Sequence, residues 1–562
     1  MLPRAEAVSA KRVTTEAFPG LDLRPRPRDG ACAAMKNLWG GEYPVLSARP
    51  GRGLVTTLQA PGGLLAKDAL LYADGENLCM NGYAVPLGLT TGPKTLVSMG
   101  AYAVVFPDKK YLNTQDLTDY GPLEHTVTTA GTVTFTLCDE TGAAYTYLSA
   151  DTAPDSPAAG AYWLSPDGPA LLRYGESGWE TVSCHVRIGA TGVGAGFAAG
   201  DGVALSGGPS GLSGLCVAAL AEADCLVVPG VCAAVSQTDP LTVTRTVPDL
   251  DYVVECGNRL WGCKYGLVDG KPVNELSCCK LGDFKNWHCY AGLSTDSWAA
   301  SRGADGAFTG AATFQGSPIF FRETSLERVY PSAAGAHQVT TLQCAGVQRG
   351  CGGSLAVVGG ALYYKSPDGV SRYDGALPVR VSDALGACRY RAAVGGALGA
   401  DYYLSMQDPG GAPHLFLLDT ARNFWYEQDA LEVLSFAACN WELYGLCADG
   451  RLLSMTGVDG DGEEPVEFML ETADLGLDVP ESKYLSRLRL RCNLGGSMTV
   501  SLQYDGDGIW HAAGRVESLG LRSFTLPILP RRCDHLRLRI TGSGSFRLYS
   551  LSRLLEKGSD EG

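Results

Sequence analysis

The sequence predicts an all-β protein, a β-propeller of about six or seven blades that carries an inserted β-domain and is followed by a C-terminal β-sandwich. Three observations predict this fold class. Glycine contributes 72 and proline 30 of the 562 residues, a composition typical of many tight turns. Short runs of Val, Leu, Tyr and Thr fill the spaces between the turns, as expected for strands. Hairpin-like units return about every 40 residues, and long amphipathic helical patterns are scarce.

The propeller prediction depends on the regular spacing of the hairpin cores. Ile319, Tyr363, Tyr402 and Tyr444 lie in four such cores, and the intervals between successive members are nearly equal. Most cores run into a second strand through a polar turn, as at residues 366–369. A regular period of this length, with several strands per unit, is the pattern of propeller blades.

Similar units occur earlier in the chain, on both sides of a stretch that lacks them, and one of these surrounds Trp261. We therefore assign residues 53–124 and 247–457 to the propeller. Closure of a propeller requires its first and last blades to meet. We expect the strands near Val55 and Leu452 to share or adjoin a blade.

Two further domains follow from breaks in this repeat. Residues 125–246 form a different β-rich stretch, which we interpret as an inserted β-domain, because loop tips tolerate insertions whose ends are close together. A polar, glycine-rich segment at 459–464 marks a linker, so residues 458–562 are predicted to be this linker and a C-terminal β-sandwich. Within that sandwich, arginines alternate with apolar residues over 487–492, the period-two pattern of a strand with one buried face.

The N-terminal segment is predicted to be an extended basic arm over residues 1–52. Prolines separate its basic residues, which disfavours a packed element. Such an arm either stays solvated or docks on an acidic neighbouring copy, and the sequence leaves both alternatives open. The arginines that define it are Arg24, Arg26, Arg28, Arg49 and Arg52.

Composition excludes several function classes. The net charge of −15 disfavours sequence-independent binding to DNA or anionic lipid, which requires clustered Lys and Arg. No signal-type apolar segment follows Met1 and no long apolar run occurs, so the sequence predicts a protein made in the cytoplasm with no membrane-spanning segment. Its 19 cysteines are an odd number and lie mostly in apolar strand-like runs, which favours free buried thiols.

The acidic and glycine-rich motifs do not form a recognisable ligand site. Asp459 with Asp461, and Asp505 with Asp507, suggest calcium, but neither pair has the further ligands of an EF-hand loop. Residues 194–200 are rich in glycine, yet no Lys-Ser or Lys-Thr follows them and no βαβ context surrounds them. We interpret all three segments as turns.

The remaining chemistry-bearing residues are also isolated. Cys278, Cys279, His288 and Cys289 are of metal-ligand type, but their spacing departs from that of zinc knuckles. The seven histidines are scattered, so a histidine general base would have to be assembled from distant segments. The turns of sialidase-type propellers need a Gly two positions after their Asp, and it is missing after Asp167 and Asp368. The sequence therefore predicts no catalytic, cofactor-binding or metal residues, and we expect a chain that is not an enzyme.

Several short sequence segments resemble those of a family of tailed-bacteriophage virion proteins, the β-propeller components of the tail or neck. The similarity lies in 258–262, 281–287 and 316–330, and it extends to 478–485 and 530–535 in the C-terminal domain. Such hub or nozzle proteins form rings around the channel through which DNA leaves. The resemblance implies a structural subunit of the virion that partners with itself in a ring and with neighbouring portal, neck or tail proteins. DNA would pass nearby without specific binding, and no catalytic residue is carried over.

Two alternative functions remain open at this stage. The first is a virion protein that binds host-surface glycans, since loops of propellers and sandwiches suit sugars and exposed aromatic rings stack on sugar faces. Trp425, Trp441 and Trp510 are the candidates for this role, unless they belong to the hydrophobic core. The second is a hydrolase that acts on bacterial cell-wall polysaccharide.

Overall fold

The regular structure of the protein is β throughout. The computed structural model describes residues 10–166 and 169–557. Within these ranges the elements are strands and two one-turn 3₁₀ helices, Gly352–Ser354 and Asp383–Leu385. None of the described residues forms a helix long and apolar enough to cross a membrane. The prediction of an all-β fold is confirmed.

Seven antiparallel sheets follow one another as blades. Six of them are meanders of four strands, which we letter A to D from the centre outward. Blade 1 consists of Pro61–Lys67, Ala69–Asp74, Asn77–Met80 and Tyr83–Val85, and blade 2 of Thr95–Met99, Tyr102–Phe106, Lys110–Asn113 and Tyr120–Pro122. Blade 3 consists of Tyr252–Glu255, Leu260–Val268, Lys271–Cys278 and Trp298–Ser301, and blade 4 of Gly310–Phe314, Ser317–Phe321, Ser325–Tyr330 and Gln338–Gln343. Blade 5 consists of Ala356–Val358, Ala361–Ser366, Gly369–Tyr373 and Val379–Arg380, and blade 6 of Arg391–Leu398, Asp401–Gln407, Pro413–Asp419 and Phe424–Glu427.

Blade 7 is completed by the two ends of the propeller segment. Its strands A to C are Val433–Cys439, Glu442–Cys447 and Arg451–Ser454, and its outer strand is Gly53–Thr57 from the N-terminal side. Leu452 lies opposite Thr56 in the register of this pairing, and the short strand Asp461–Gly462 pairs with the other edge of Gly53–Thr57. The expected meeting of the first and last strands is confirmed.

The A strands form a closed ring around the axis. The A strand of each blade contacts that of the next, and the A strand of blade 7 returns to that of blade 1. Between blades 4 and 5 the 3₁₀ turn Gly352–Ser354 mediates the contact. Because blades cover each other on both faces, central strands such as Ala361–Ser366 and Glu442–Cys447 are buried at every position. The propeller therefore has seven blades, within the predicted range.

The inserted β-rich segment forms three sheets between strand D of blade 2 and strand A of blade 3. It has its own hydrophobic core, around Phe135, Ile188 and Val243. The side chain of Asn286, from blade 3, ties it to the propeller by accepting from the N–H of Gly202, at 3.0 Å. Its strands are His125–Thr128, Val133–Cys138, Leu148–Ser149, Tyr162–Ser165, Ala170–Gly175, Gly178–Thr181, His185–Gly189, Gly202–Ser206, Gly214–Val217, Leu220–Glu222, Cys225–Pro229, Val235–Gln237 and Thr242–Arg245.

The C-terminal sandwich-like unit is one continuous hydrogen-bonded sheet of eight strands, which we call the terminal sheet. Two of its strands, Lys483–Tyr504 and Leu536–Lys557, pair along nearly their whole length. As the alternation predicted, Leu488 and Leu490 are buried while the intervening Arg489 is exposed. The other strands from this end of the chain are Glu467–Thr472 and His511–Leu526.

The prediction of an extended N-terminal arm is wrong for the described residues 10–52. Four strands of the terminal sheet come from this segment, namely Ala10–Thr15, Cys32–Lys36, Leu38–Trp39 and Leu46–Ala48. Their partners include strands from the opposite end of the chain, as in the pairing of Lys36 with Met469. The proline-rich spacing conceals this, because the strands are short and their apolar residues face a surface supplied by the other end of the chain.

Candidate functional site

Two buried arginines join the terminal sheet to the propeller. Arg49 makes a bidentate contact with Glu463, at 2.8 and 2.9 Å, and Arg52 pairs with Asp429 at 2.6 Å. Burial acts to raise the pKa of Glu463, but hydrogen bonds from the Arg49 side chain and the Arg52 backbone outweigh it and hold that pKa below its usual range. Two of the arginines assigned to a free arm are thus internal, and a third, Arg24, bonds the neighbouring Asp22 at 2.6 Å.

Charge is divided unequally between the terminal sheet and the rest of the chain. Residues 10–52 and 467–557, which build the sheet, contain 21 Lys and Arg against 14 Asp and Glu. Residues 53–466, which build the propeller and the insert, contain 23 Lys and Arg against 43 Asp and Glu. One protein therefore carries a basic unit beside an acidic one.

The basic character of the terminal sheet is concentrated on one strand. Arg487, Arg489 and Arg491 alternate along Lys483–Tyr504 and are exposed on the face opposite its buried leucines. We call these three residues the arginine face. Within residues 10–166 and 169–557, Arg489 and Arg491 make no ion pair with a carboxylate, and their cross-strand neighbours are Ser or Thr. The alternating spacing places successive guanidinium groups about 7 Å apart, all available to an acidic surface.

One edge of the terminal sheet is open. The strand His511–Leu526 pairs with Lys483–Tyr504, and no other strand of the described chain pairs with it. Leu519 and Leu521 on this strand are exposed, Leu519 by 85%. A long edge with free backbone donors and acceptors and exposed leucines is a surface that soluble proteins normally cover.

The propeller presents exposed aromatic residues at one end of its blades. In a four-stranded meander the A–B and C–D turns lie at the same end. Trp441 occupies the A–B turn of blade 7 and is 96% exposed, with a φ of 64°. Tyr83 and Tyr120 begin the D strands of blades 1 and 2, next to their C–D turns, and are also exposed. Three consecutive blades therefore carry an exposed ring at this end, and a left-handed Trp is a strained conformation.

The other two tryptophans considered for sugar stacking have structural roles. Trp425 is fully buried in blade 6, and its indole N–H donates to the carbonyl of Val381 at 3.0 Å. Trp510 lies under the guanidinium of Arg539, 3.9 Å from the ring centre. Only Trp441 of the three is open to a ligand.

The residues weighed as metal ligands are engaged in local structure. Asp459 accepts the hydroxyl of Tyr444, and Asp505 accepts the backbone N–H of Asp534 at 2.7 Å. Asp507 bonds the backbone N–H of Ile509 and pairs with Arg531, while Asp461 lies in the short strand beside blade 7. Cys278, Cys279 and Cys289 are buried thiols, and burial and Lys109 lower the pKa of His288. Across residues 10–166 and 169–557, no group of three or more His, Cys, Asp or Glu is arranged to hold a metal.

A pair of carboxylates in blade 6 escaped the sequence analysis. Asp401 begins strand B and lies directly opposite Asp419 at the end of strand C. Burial, and then the charge of Asp419, raise the pKa of Asp401 to about 6. Asp419 accepts backbone N–H groups of Ala421 and Arg422 and pairs with the Arg422 guanidinium at 2.7 Å. Asp401 is the first residue of the B–C hairpin and Asp419 is the last, so the two acids are distant in sequence and only the strand register brings them together.

Comparison with known proteins gives structural neighbours alone. No family model and no curated protein matches the chain. Similar solved structures include a glycoside hydrolase, at 9% identity with a TM-score of 0.20, covering 53% of this chain and 96% of that chain. An exo-β-1,3-galactanase from Phanerochaete chrysosporium has 9% identity and a TM-score of 0.18, with coverages of 76% and 100%. A sialidase from Trypanosoma rangeli has 8% identity and a TM-score of 0.21, with coverages of 90% and 96%.

These matches contradict our prediction that the chain is not an enzyme, because the proteins to which it is similar include a glycoside hydrolase, a galactanase and a sialidase. That prediction relied on the lack of a catalytic motif in the sequence. A motif search detects residues at fixed sequence spacing, and it does not detect carboxylates that come together only through the pairing of two strands, as Asp401 and Asp419 do. At such low identities and TM-scores, the matches assign no substrate, activity or catalytic residue to this chain.

Proposed function

We propose that this chain is a subunit of a bacteriophage tail or neck, and that copies of it assemble into a ring around the channel through which DNA leaves. The observation that carries the proposal is the separation of a basic terminal sheet from an acidic propeller and insert. A ring needs two different, complementary surfaces on each copy. The arginine face is one such surface, and the acidic unit of the next copy is the other.

The open edge strand His511–Leu526 supports the same assembly. This strand pairs with Lys483–Tyr504, which carries the arginine face, so the open edge and the arginine face are adjacent on the terminal sheet. Charge attraction would bring the copies together quickly, and burial of Leu519 and Leu521 would then slow their separation. The role as a virion protein with portal, neck or tail partners, made in the host cytoplasm, rests on the resemblance in the sequence.

The test measures the oligomeric state of the purified chain by light scattering and negative-stain electron microscopy. We expect rings at low salt that dissociate as the salt concentration rises through about 0.5 M, because screening weakens exposed charge contacts. The variant Arg489→Glu/Arg491→Glu should remain monomeric. A matched double variant on the acidic unit, Arg349→Glu/Arg391→Glu, should still assemble. A wild-type chain that stays monomeric at low salt and high concentration refutes the proposal.

A second candidate function, binding of host-surface glycans, is favoured by the exposed rings of Trp441, Tyr83 and Tyr120. Rings that are open to solvent can stack on sugar faces. A glycan array probed with the wild-type chain and with Trp441→Ala tests this function separately. Binding that disappears in the variant supports it, and binding that is equal in both excludes Trp441 as the contact.

A further inference from the structure

A pocket of about 350 Å³ lies between blades 5 and 6. It is at the B–C end of the blades, away from the exposed aromatic rings. The B–C turn of blade 5 and the connection from blade 5 to blade 6 form its walls. The residues that matter for its chemistry are Lys365, Asp368, Arg380, Ser382, Arg389 and Tyr390.

Lys365 lines this pocket and carries a buried ammonium group. Lys365 as a whole is only 3% exposed. The Nζ atom donates to the side-chain oxygen of Gln348 and to the carbonyl of Ser366, both at 2.6 Å. These bonds use two of its three N–H donors. In the part of the chain that the structure describes, no carboxylate lies within ion-pair distance of Lys365. Burial lowers the pKa of Lys365, as expected for a cation that lacks a counter-charge.

Two further donors line the same pocket. The hydroxyl of Ser382 accepts the backbone N–H of Val370 at 2.8 Å, which leaves its own hydrogen free to donate. Gly369 makes this approach possible, because a Cβ atom there would lie 2.3 Å from the Ser382 hydroxyl oxygen. Arg389 is exposed at the rim. These groups offer the pocket one buried and one exposed donor in addition to the lysine.

The charge balance of the lining selects the kind of anion. Three cations line the pocket, Lys365, Arg380 and Arg389, together with one carboxylate, Asp368. Arg380 is already paired with Asp383 at 3.1 Å, outside the lining. About one positive charge is left uncompensated. A singly charged group neutralises it, whereas a doubly charged phosphate would meet repulsion from Asp368.

We propose that this pocket binds a small ligand that carries one carboxylate, of about the size of a sugar acid. The volume lies at the lower end of that of small-molecule sites. The carboxylate is held by the Lys365 ammonium and the Ser382 hydroxyl, with Arg389 closing over it from the rim. Tyr390 and Met406 supply the apolar wall for the remainder of the ligand. This inference is independent of ring assembly, because none of these residues belongs to the terminal sheet.

The test is calorimetric titration of the full-length chain with sodium glucuronate, with glucose as the neutral probe and inorganic phosphate as the divalent one. We expect glucuronate to bind and glucose not to bind. Arg389→Ala should weaken glucuronate binding by about 10- to 100-fold, the usual effect of losing a charge-assisted hydrogen bond. Because Arg389 is exposed, this variant should fold normally. Lys365→Met should abolish binding, provided that its circular dichroism spectrum matches the wild type.

The matched control is Arg372→Ala, which removes a half-exposed arginine of blade 5 that does not line the pocket. It should bind glucuronate as the wild type does. Three results would overturn the proposal: no binding of glucuronate by the wild type at 10 mM, on the order of the weakest affinities that matter; equal binding of glucose; or tighter binding of phosphate than of glucuronate. A wild-type chain that binds glucuronate but forms no rings at low salt would refute the proposed function and leave this site unaffected.

Discussion

Replacing Asp401 by Asn should stabilise the protein at neutral pH and leave it unchanged in acid. Asp401 is half-buried opposite Asp419, and its pKa is raised to about 6 by burial and by that neighbouring charge. The folded protein therefore keeps the proton of Asp401 up to about pH 6, whereas the unfolded chain releases it near pH 4. Between these values the folded state binds more protons, so the free energy of unfolding falls as the pH rises.

The size of the effect follows from the same shift. Two pKa units correspond to about 3 kcal/mol, and we take about 2 kcal/mol because water still reaches this side chain. Asparagine has the shape of the protonated acid but cannot ionise. Asp401→Asn should thus unfold with a free energy about 2 kcal/mol above that of the wild type at pH 8, and this gain should vanish below pH 4.

Urea denaturation of both proteins at pH 4, 6 and 8 measures this difference. Asp419→Asn is the matched control on the facing strand. Its carboxylate accepts two backbone N–H groups and pairs with Arg422, so that variant should lose about 1 to 3 kcal/mol at pH 8. If Asp401→Asn raises the free energy of unfolding equally at pH 4 and pH 8, or lowers it at pH 8, then ionisation of Asp401 does not destabilise the wild type and the reasoning is refuted.

Three other variants or treatments have defined outcomes. Glu463→Gln should lower the free energy of unfolding by about 1 to 2 kcal/mol in urea, because it removes the bidentate carboxylate from buried Arg49 and leaves Asp429, at 3.5 Å, as the remaining carboxylate partner. In the native protein, a thiol reagent such as dithionitrobenzoate should react most rapidly with Cys388, which is the exposed cysteine among the 19. It should react more slowly with the four partly exposed thiols, and with the 14 buried thiols only after unfolding. Gly20→Ala should destabilise the fold by more than about 1 kcal/mol in thermal melts, since its φ is 81° and a Cβ would lie 2.2 Å from the Trp425 carbonyl oxygen.

The propeller could be predicted because its information is local. Each blade is a run of hairpins, and the apolar cores near Tyr363, Tyr402 and Tyr444 repeat with the blade. Closure of the propeller also follows from geometry, because blades arranged in a ring require the last blade to meet the first. Leu452 does lie beside Thr56. The alternation of arginine and leucine in the terminal sheet is a local signal of the same kind.

The features that the sequence concealed are those that depend on distant partners. Arg49 and Arg52 look solvated beside prolines, but their carboxylates, Glu463 and Asp429, lie far along the chain, beyond most of the propeller. Local composition cannot distinguish an arginine that meets water from one that meets a buried acid. The carboxylate pair of blade 6 is concealed in the same way, because the register that joins it is a property of two paired strands and not of either one.

The position of the N-terminal segment changes the meaning of the charge asymmetry. A flexible basic arm could reach many surfaces and would lose conformational entropy on docking, whereas the terminal sheet holds its arginines in fixed positions. The same segment first contributes four strands to that sheet and then Gly53–Thr57 to blade 7. Between them, Arg49 and Arg52 bond residues that follow blades 6 and 7. The arginine face is therefore held in a fixed orientation with respect to the acidic propeller. The proposed ring requires such a fixed rotation between neighbouring copies, and it closes only if that rotation divides a full turn evenly, since any other fixed rotation produces a filament.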